Sequence, residues 1–388
     1  MARGMNTHIK DQDELHAREG TSTPRVIIGH DFMETYGGAE RIVREMARIF
    51  PDAPLYAILG RESVAHRMGV DGRFHGLLAP RPSLLRHYRA LAPAFPPYLS
   101  RVRLPSADVL LTSSYAFAHH MRTDNNAPQL CYCYAPLRFA WSMESDYRAH
   151  WAGGPVRDRA FDAMASWMRR SDRRVAQRVA RYVALSEYAA RQVRDAYGRE
   201  CEVLPPPVDT DLFRPSDHGP EDFFLFCGRL VEPYKQPTIA VRAFAELDAK
   251  LIVAGDGPEL ERLRRLAPSN VEFVGHLEDE ELVWHMQRCQ ASIFPSRDDF
   301  GLIPVEVAAC GRPTLAFAGG GALDTVRPGV TGVLFERQDV RTIVDEVRRF
   351  RSDDYDPAAI REHALGWSSH RFAARLRDLV AEVAAGRS

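Results

Sequence analysis

Short, nearly unbroken apolar runs alternate along this chain with longer stretches in which apolar residues return every three or four positions. Arg25-Val-Ile-Ile-Gly-His30, Asp108 to Thr112, Leu130 to Tyr134 and Tyr182 to Leu185 are runs of the first kind, followed by Phe223 to Cys227, Lys250 to Ala254, Val271 to Val274, Ala291 to Phe294 and Thr314 to Phe317. They are too short for helices and end at glycine, proline or polar residues, which predicts strands buried on both faces of parallel sheets. Between them, Ile42, Val43, Met46 and Ile49 share one helical face, and Glu187 to Tyr197, Pro237 to Leu247 and Ile303 to Cys310 have the same character. The alternation breaks at the proline-rich stretch Leu204 to Phe213 and then restarts. The pattern predicts an α/β fold of two Rossmann-like domains facing one cleft. The domains span 25–205 and 206–367, with 368–388 a closing helix.

Composition narrows the function. At 388 residues the chain is long enough for two separate cores, and a net charge of −1 argues against a nucleic-acid partner held by bulk charge. Six scattered cysteines without Cys-x2-Cys spacing favour a reduced, cytoplasmic protein over a disulfide or zinc scaffold. Residues 1–24 read as a polar, disordered prefix without the apolar core of a signal peptide, and no apolar run nears the roughly 18 residues of a membrane span. Arg81 to Arg103 carries five arginines among aromatic and leucine residues and no acid. It leaves two readings open, a peripheral contact with an anionic membrane and a solvated, proline-broken connector. A second basic stretch, Arg157 to Arg181, has Phe161, Met164, Trp167 and Met168 at helical spacing, which predicts a stripe facing the core.

Candidate chemistry concentrates at the carboxyl ends of predicted strands. Asp298-Asp299-Phe300-Gly301 forms a turn after Ala291 to Phe294, and the helix that follows points free N–H groups at the Phe300-Gly301-Leu302 loop. Glu306 lies eight residues after Asp298, so both carboxylates can face one small polyhydroxylated ligand. Gly319 to Gly321 opens a second helix. Gly37-Gly38 begins the first helix, and reads equally as a plain cap or as a loop that admits a diphosphate. Its spacing does not fit Gly-x-Gly-x-x-Gly, which disfavours a nicotinamide enzyme. Gly228-Arg229 and Lys235 follow a strand, and two fixed cations suit a diphosphate leaving group. Arg138 is balanced between an acceptor phosphate and a surface ion pair. Asp209-x-Asp211 sits in a turn where local hydrogen bonds explain it better than a metal does.

Asp298-x7-Glu306, FGLIPVE, AACGRP, GGGALDTV and GVTGVLF together resemble the retaining glycosyltransferases of family four, which have the GT-B architecture. The closest pattern is that of bacterial GDP-mannose-dependent mannosyltransferases. The resemblance implies that Glu306 accepts the ribose hydroxyls and that Asp298, where the family usually has glutamate, meets the hexose. Arg229, Lys235 and the backbone of Gly38, Gly301 and Leu302 would hold the diphosphate, with Gly37, Gly228 and Phe300 alongside. His276 and Leu277 would lie on the loop that meets the nucleobase. Tyr134, with Arg138, falls on the acceptor side, at a position where related sequences carry histidine. Tyr115 departs from the pattern in the same way, and His119 and His120 lie near it in sequence. The implied activity is metal-independent hexosyl transfer without a cofactor, from a nucleotide sugar to a glycan or lipid-linked acceptor in polysaccharide or glycoconjugate synthesis. A UDP-sugar donor and a catalytically degenerate nucleotide-sugar-binding subunit are the alternatives. A phosphorylase would need a cofactor-anchoring lysine motif that the sequence does not display. The last helix is expected to cross back onto the first domain.

Overall fold

The computed structural model describes residues 24–81, 84–85, 88, 91–142, 144–151 and 154–386. Residues 1–23 of the predicted prefix and 82–83, 86–87 and 89–90 of the first basic stretch lie outside the described residues. The first domain is built on a seven-stranded parallel sheet in the order β3-β2-β1-β4-β5-β6-β7. The strands are β1 (Val26–Met33), β2 (Leu55–Gly60), β3 (Phe74–Leu78), β4 (Val109–Ser114), β5 (Gln129–Cys133), β6 (Arg181–Ala184) and β7 (Cys201–Val203). All eight residues of β1 are buried, as a central parallel strand covered on both faces requires. Helix α1 (Gly38–Ile49) turns Ile42, Val43 and Met46 inward against the sheet. Two further helices, α2 (Pro155–Ala176) and α3 (Glu187–Tyr197), cover the β5 to β7 side, and α3 is capped by Ser186, whose Oγ accepts the Ala189 N–H.

The second sheet has six parallel strands in the order β10-β9-β8-β11-β12-β13. These are β8 (Phe224–Cys227), β9 (Leu251–Ala254), β10 (Val271–Gly275), β11 (Ser292–Phe294), β12 (Thr314–Phe317) and β13 (Gly332–Phe335). Helices α4 (Pro237–Phe244), α5 (Asp279–Arg288) and α6 (Leu302–Ala309) connect the strands that concern the site. The helix expected at Gly319 to Gly321 is only the four-residue Ala322–Thr325. Its glycines serve close packing instead: a Cβ on Gly321 would lie 2.2 Å from Phe300 Cα.

The final helix, α7 (Ser369–Ala384), leaves the second domain and packs on α1, β4 and β5 of the first. Phe372, Leu376, Leu379, Val380 and Val383 are buried there, and Phe372 meets the Tyr132 ring edge-on at 5.9 Å. Arg375 donates to both Glu202 and Glu382, tying α7 to β7. Buried apolar side chains therefore run without a break from the first domain into the second. The Asp209 carboxylate accepts the Asp211 and Leu212 N–H groups, the local turn expected of it.

Candidate functional site

The carboxyl end of β1 organises the first-domain wall of the cleft. Asp31, wholly buried, accepts the N–H groups of Tyr115, Ala116, Phe117 and Ala118 at 2.5 to 2.8 Å and so fixes the turn after β4. Beside it, His30 Nδ1 lies 3.0 Å from Ser113 Oγ, and His30 Nε2 lies 3.6 Å from Glu40 Oε1. The other oxygen of Glu40 accepts the Gly37 N–H at 2.9 Å, closing the glycine turn that starts α1. Tyr134 supports this turn from below, its hydroxyl 3.0 Å from Ser113 Oγ and donating to the Ala39 carbonyl at 3.3 Å. Burial pushes the Tyr134 and Tyr115 phenols up, so neither is a base near neutral pH. Tyr134 was expected on the acceptor side, and it is a buried strut under the glycine turn that starts α1.

The second domain meets this wall at α6. Glu306, in the second turn of the helix and only 4% exposed, accepts from Arg41 Nη1 at 2.9 Å through Oε1, while its Oε2 has no partner among the described residues. Arg41 Nη2 donates to Asp279 Oδ1 at 2.6 Å, so one arginine of α1 holds two carboxylates of the other domain. Burial raises the Glu306 carboxyl, with Arg41 opposing it. Burial also lowers the Arg41 guanidinium, but Glu306 and Asp279 outweigh that and hold it above its ordinary value. Gly38 packs so closely on α6 that a Cβ there would lie 3.1 Å from Leu302 Cδ1.

Around this seam, Lys235 is paired with Asp298, and the Asp298 carbonyl accepts the Gly321 N–H at 2.7 Å. Arg138 pairs across the seam with Asp299 and lies over the Tyr234 ring at 5.5 Å. This Arg138 ion pair lies between the domains and not on an open surface. Ser186 Oγ donates to the Asp299 carbonyl, and the Glu187 N–H donates to Asp324 at 2.9 Å.

The fold thus gathers Gly37, Gly38, Lys235, Asp298, Gly301, Leu302 and Glu306 along one seam. A Cβ on Gly228 would lie 4.0 Å from Lys235 Nζ, which places that glycine beside them. Arg229 is exposed, and its side chain makes no hydrogen bond or ion pair among the described residues. His276 is exposed on the loop after β10, while Leu277 packs against the core. Phe300 is a correction: its side chain is 4% exposed in the core, which leaves its backbone alone for a ligand. Arg41, Asp279 and Glu40 went unnoticed in the sequence. Arg41 follows Gly38 by three residues and shares its helical face, which is the signal that would have found it.

Residues 209–367 match the family model described as glycosyl transferases group 1. The second domain is a group 1 glycosyltransferase domain. Curated relatives include a D-inositol 3-phosphate glycosyltransferase of Acidothermus cellulolyticus, 34% identical over 215 residues, 47% of this chain and 47% of the relative. A GDP-mannose-dependent alpha-(1-6)-phosphatidylinositol monomannoside mannosyltransferase of Mycolicibacterium smegmatis is 30% identical over 235 residues, 52% of this chain and 61% of the relative. The chain thus spans about half the length of the curated relatives it matches. Among solved structures, Anabaena Alr3699/HepE in complex with UDP has a TM-score of 0.67 at 16% identity over 92% of this chain and 100% of that one. Sucrose-phosphate synthase from Thermosynechococcus elongatus has 0.67 at 18% identity over 93% and 100%. The architecture is GT-B, and Lys235, Asp298 and Glu306 all lie within the group 1 domain.

Outside that domain, the candidate histidines are otherwise engaged. Buried Asp172 of α2 lies 2.8 Å from His119 Nε2 and 3.3 Å from His120 Nε2, and accepts from Trp141 Nε1 at 2.9 Å and Tyr197 OH at 2.8 Å. The three side chains are close enough to surround an ion. The hydrogen bonds already satisfy the carboxylate, and both ring nitrogens of buried His119 are engaged, Nδ1 lying 3.1 Å from Ser114 Oγ.

Proposed function

We propose that this chain is a retaining, metal-independent hexosyltransferase that uses a nucleotide diphosphate sugar, with GDP-mannose the donor, and a glycan or lipid-linked hydroxyl as acceptor. The observation that carries the reading is the Glu306 carboxylate, buried at the seam between two carboxyl-end sheet faces with Oε2 unpaired. A buried carboxylate oxygen without a donor costs about 1–3 kcal/mol, and vicinal ribose hydroxyls supply the missing donors. Lys235 exchanges Asp298 for the diphosphate, free Arg229 joins it, and the released Asp298 turns to hexose hydroxyls. Charge developing on the leaving phosphate is met by these cations and by the N-terminus of α6. The bond from the anomeric carbon to the phosphate oxygen breaks as the acceptor oxygen bonds the same face, and the acceptor proton passes to the departing phosphate. The donor base rests on the name of the Mycolicibacterium smegmatis relative. A nucleotide-sugar-binding subunit without turnover is the second reading, favoured by Tyr134 and Tyr115 where related sequences carry histidine.

Thermal shifts with GDP-, UDP-, ADP- and TDP-sugars, with and without Mg2+ and beside Glu306→Ala, test this. Ligand at about a hundred times its dissociation constant stabilises by roughly 2.7 kcal/mol. The expected result is a Mg2+-independent shift with GDP-mannose that the variant lacks. No shift with any nucleotide sugar would overturn the proposal, and a shift without release of nucleoside diphosphate on adding acceptor would favour the binding subunit.

A further inference from the structure

Helix α2 carries its acids and its exposed apolar residues on opposite sides. With about 100° per residue, Phe161, Ala165, Met168, Asp172 and Ala176 gather on one face, and all of them are buried. Val156, Ala160, Ala163, Trp167, Arg170 and Arg174 fall on the opposite face, and all of them are exposed. Val156 is 77% and Trp167 39% exposed, which reverses the inward orientation expected of that tryptophan. Asp158, Asp162 and Asp172 lie towards the buried half, Asp162 paired with Arg148 and Asp172 with the histidines. The outward half holds Arg159, Arg170 and Arg174 and no acid.

Other elements extend the cationic end. The Leu104 N–H donates to the Arg122 carbonyl at 2.8 Å, which sets Arg103 and Arg122 side by side. Partial burial, with Arg122, Arg174 and Arg103 nearby, lowers the Arg178 guanidinium from its ordinary value. Asp124 is the one acid in the turn that carries Arg122. A favourable helix dipole accounts for arginines in the last turn of α2. It does not account for an exposed tryptophan and valine on the same line, about 27 Å long from Val156 to Arg174.

We infer that the outward face of α2, with Arg103, Arg122 and Arg178 at its end, docks the first domain on an anionic phospholipid surface. The charge complementarity selects the occupant. An indole beside a row of guanidinium groups suits the interfacial zone, where aromatic rings seat at headgroup depth and each cation near an acidic leaflet contributes about 1 kcal/mol. No helix among the described residues is long and apolar enough to cross a membrane, so the contact is peripheral. It does not depend on the identity of the donor.

Co-sedimentation of the full chain with phosphatidylcholine vesicles, with and without phosphatidylglycerol, tests the inference. Binding is expected only with phosphatidylglycerol, at least tenfold weaker for the R170E/R174E double variant and steeply reduced by salt. Brominated acyl chains should quench tryptophan emission, and Trp167→Phe, which keeps the ring volume, should remove most of that quenching. Unchanged melting temperatures in both variants separate lost docking from lost folding. Equal binding by the charge-reversed variant, no preference for acidic lipid, quenching that survives Trp167→Phe, or retention on a soluble polyanion without vesicle binding would each overturn it.

Discussion

Asp172 accepts four donors while wholly buried, and the two histidines it holds titrate in opposite directions. Burial lowers His119, but Asp172 outweighs burial and the ring ends above its ordinary value. Burial and then His119 push His120 down to about 4. The His119 contribution is complete below pH 6.5 and fades as pH rises, whereas that of His120 is lost as pH falls from 6.5 to about 4. The cluster is therefore most stabilising near pH 6.5, and wild type should lose about 3 kcal/mol to His120 on acidification across that window. His120→Gln keeps a donor for Asp172 and should flatten the acid limb of a plot of melting temperature against pH. Arg41 is the second residue whose role is local chemistry at long range. Arg41→Met leaves Glu306 buried without its cation and should cost about 2 kcal/mol, more at pH 8 than at pH 5, because the carboxyl is then driven further towards its protonated form. Denaturant unfolding at the two pH values would check both size and sign. The spacing from Gly38 marks the helical face of Arg41 but not its partners, because Asp279 and Glu306 lie 238 and 265 residues away. Chain pattern reports neighbours at three or four positions, not partners across a domain seam. Lys235, Asp298 and Glu306 drew notice in the sequence because they follow strands at their carboxyl ends within one domain, and the fold pairs Lys235 with Asp298.

At the scale of elements, apolar runs located the strands well, since residues buried on both faces leave little polar interruption. Helices that touch only one side were harder. In α2 the spacing of Phe161, Met164 and Met168 correctly marked a buried face, yet Trp167 was swept into it although it lies about 100° from Met168 around the axis. The glycine triplet after β12 was read as a helix start, and it does open the four-residue helix Ala322–Thr325, but it also lets the chain approach the 298–301 loop closely. A Cβ on Gly320 would lie 2.2 Å from the Asp298 carbonyl oxygen, and one on Gly321 2.3 Å from that of Phe300. Gly321→Ala should therefore displace the loop that carries Asp298, lower stability by about 2 kcal/mol and abolish the nucleotide-dependent thermal shift. Gly329→Ala has open space at its Cβ and a φ of 74°, so it should carry only the backbone penalty and retain the shift. Calorimetry of the two variants with and without GDP-mannose distinguishes a steric clash from a general glycine effect.

At the scale of the whole molecule, two parallel sheets and a returning helix were foreseen from alternation and resemblance, while the closeness of the seam was not. Arg41, Arg138 and Arg67 each reach an acid of the other domain, Arg67 meeting Glu278 at 2.6 Å. Such pairs weaken in salt, so small-angle scattering should record a larger radius of gyration at high ionic strength and recovery on adding the donor. Deleting 369–388 should replace one cooperative thermal transition by two, because the first domain then exposes the face that Phe372, Leu376 and Leu379 covered. During synthesis, the residues that seal the first domain are translated only after the whole of the second sheet. A nascent chain therefore carries an unsealed first sheet through the making of the entire second domain, and its dependence on chaperones should peak in that interval and end with the arrival of α7.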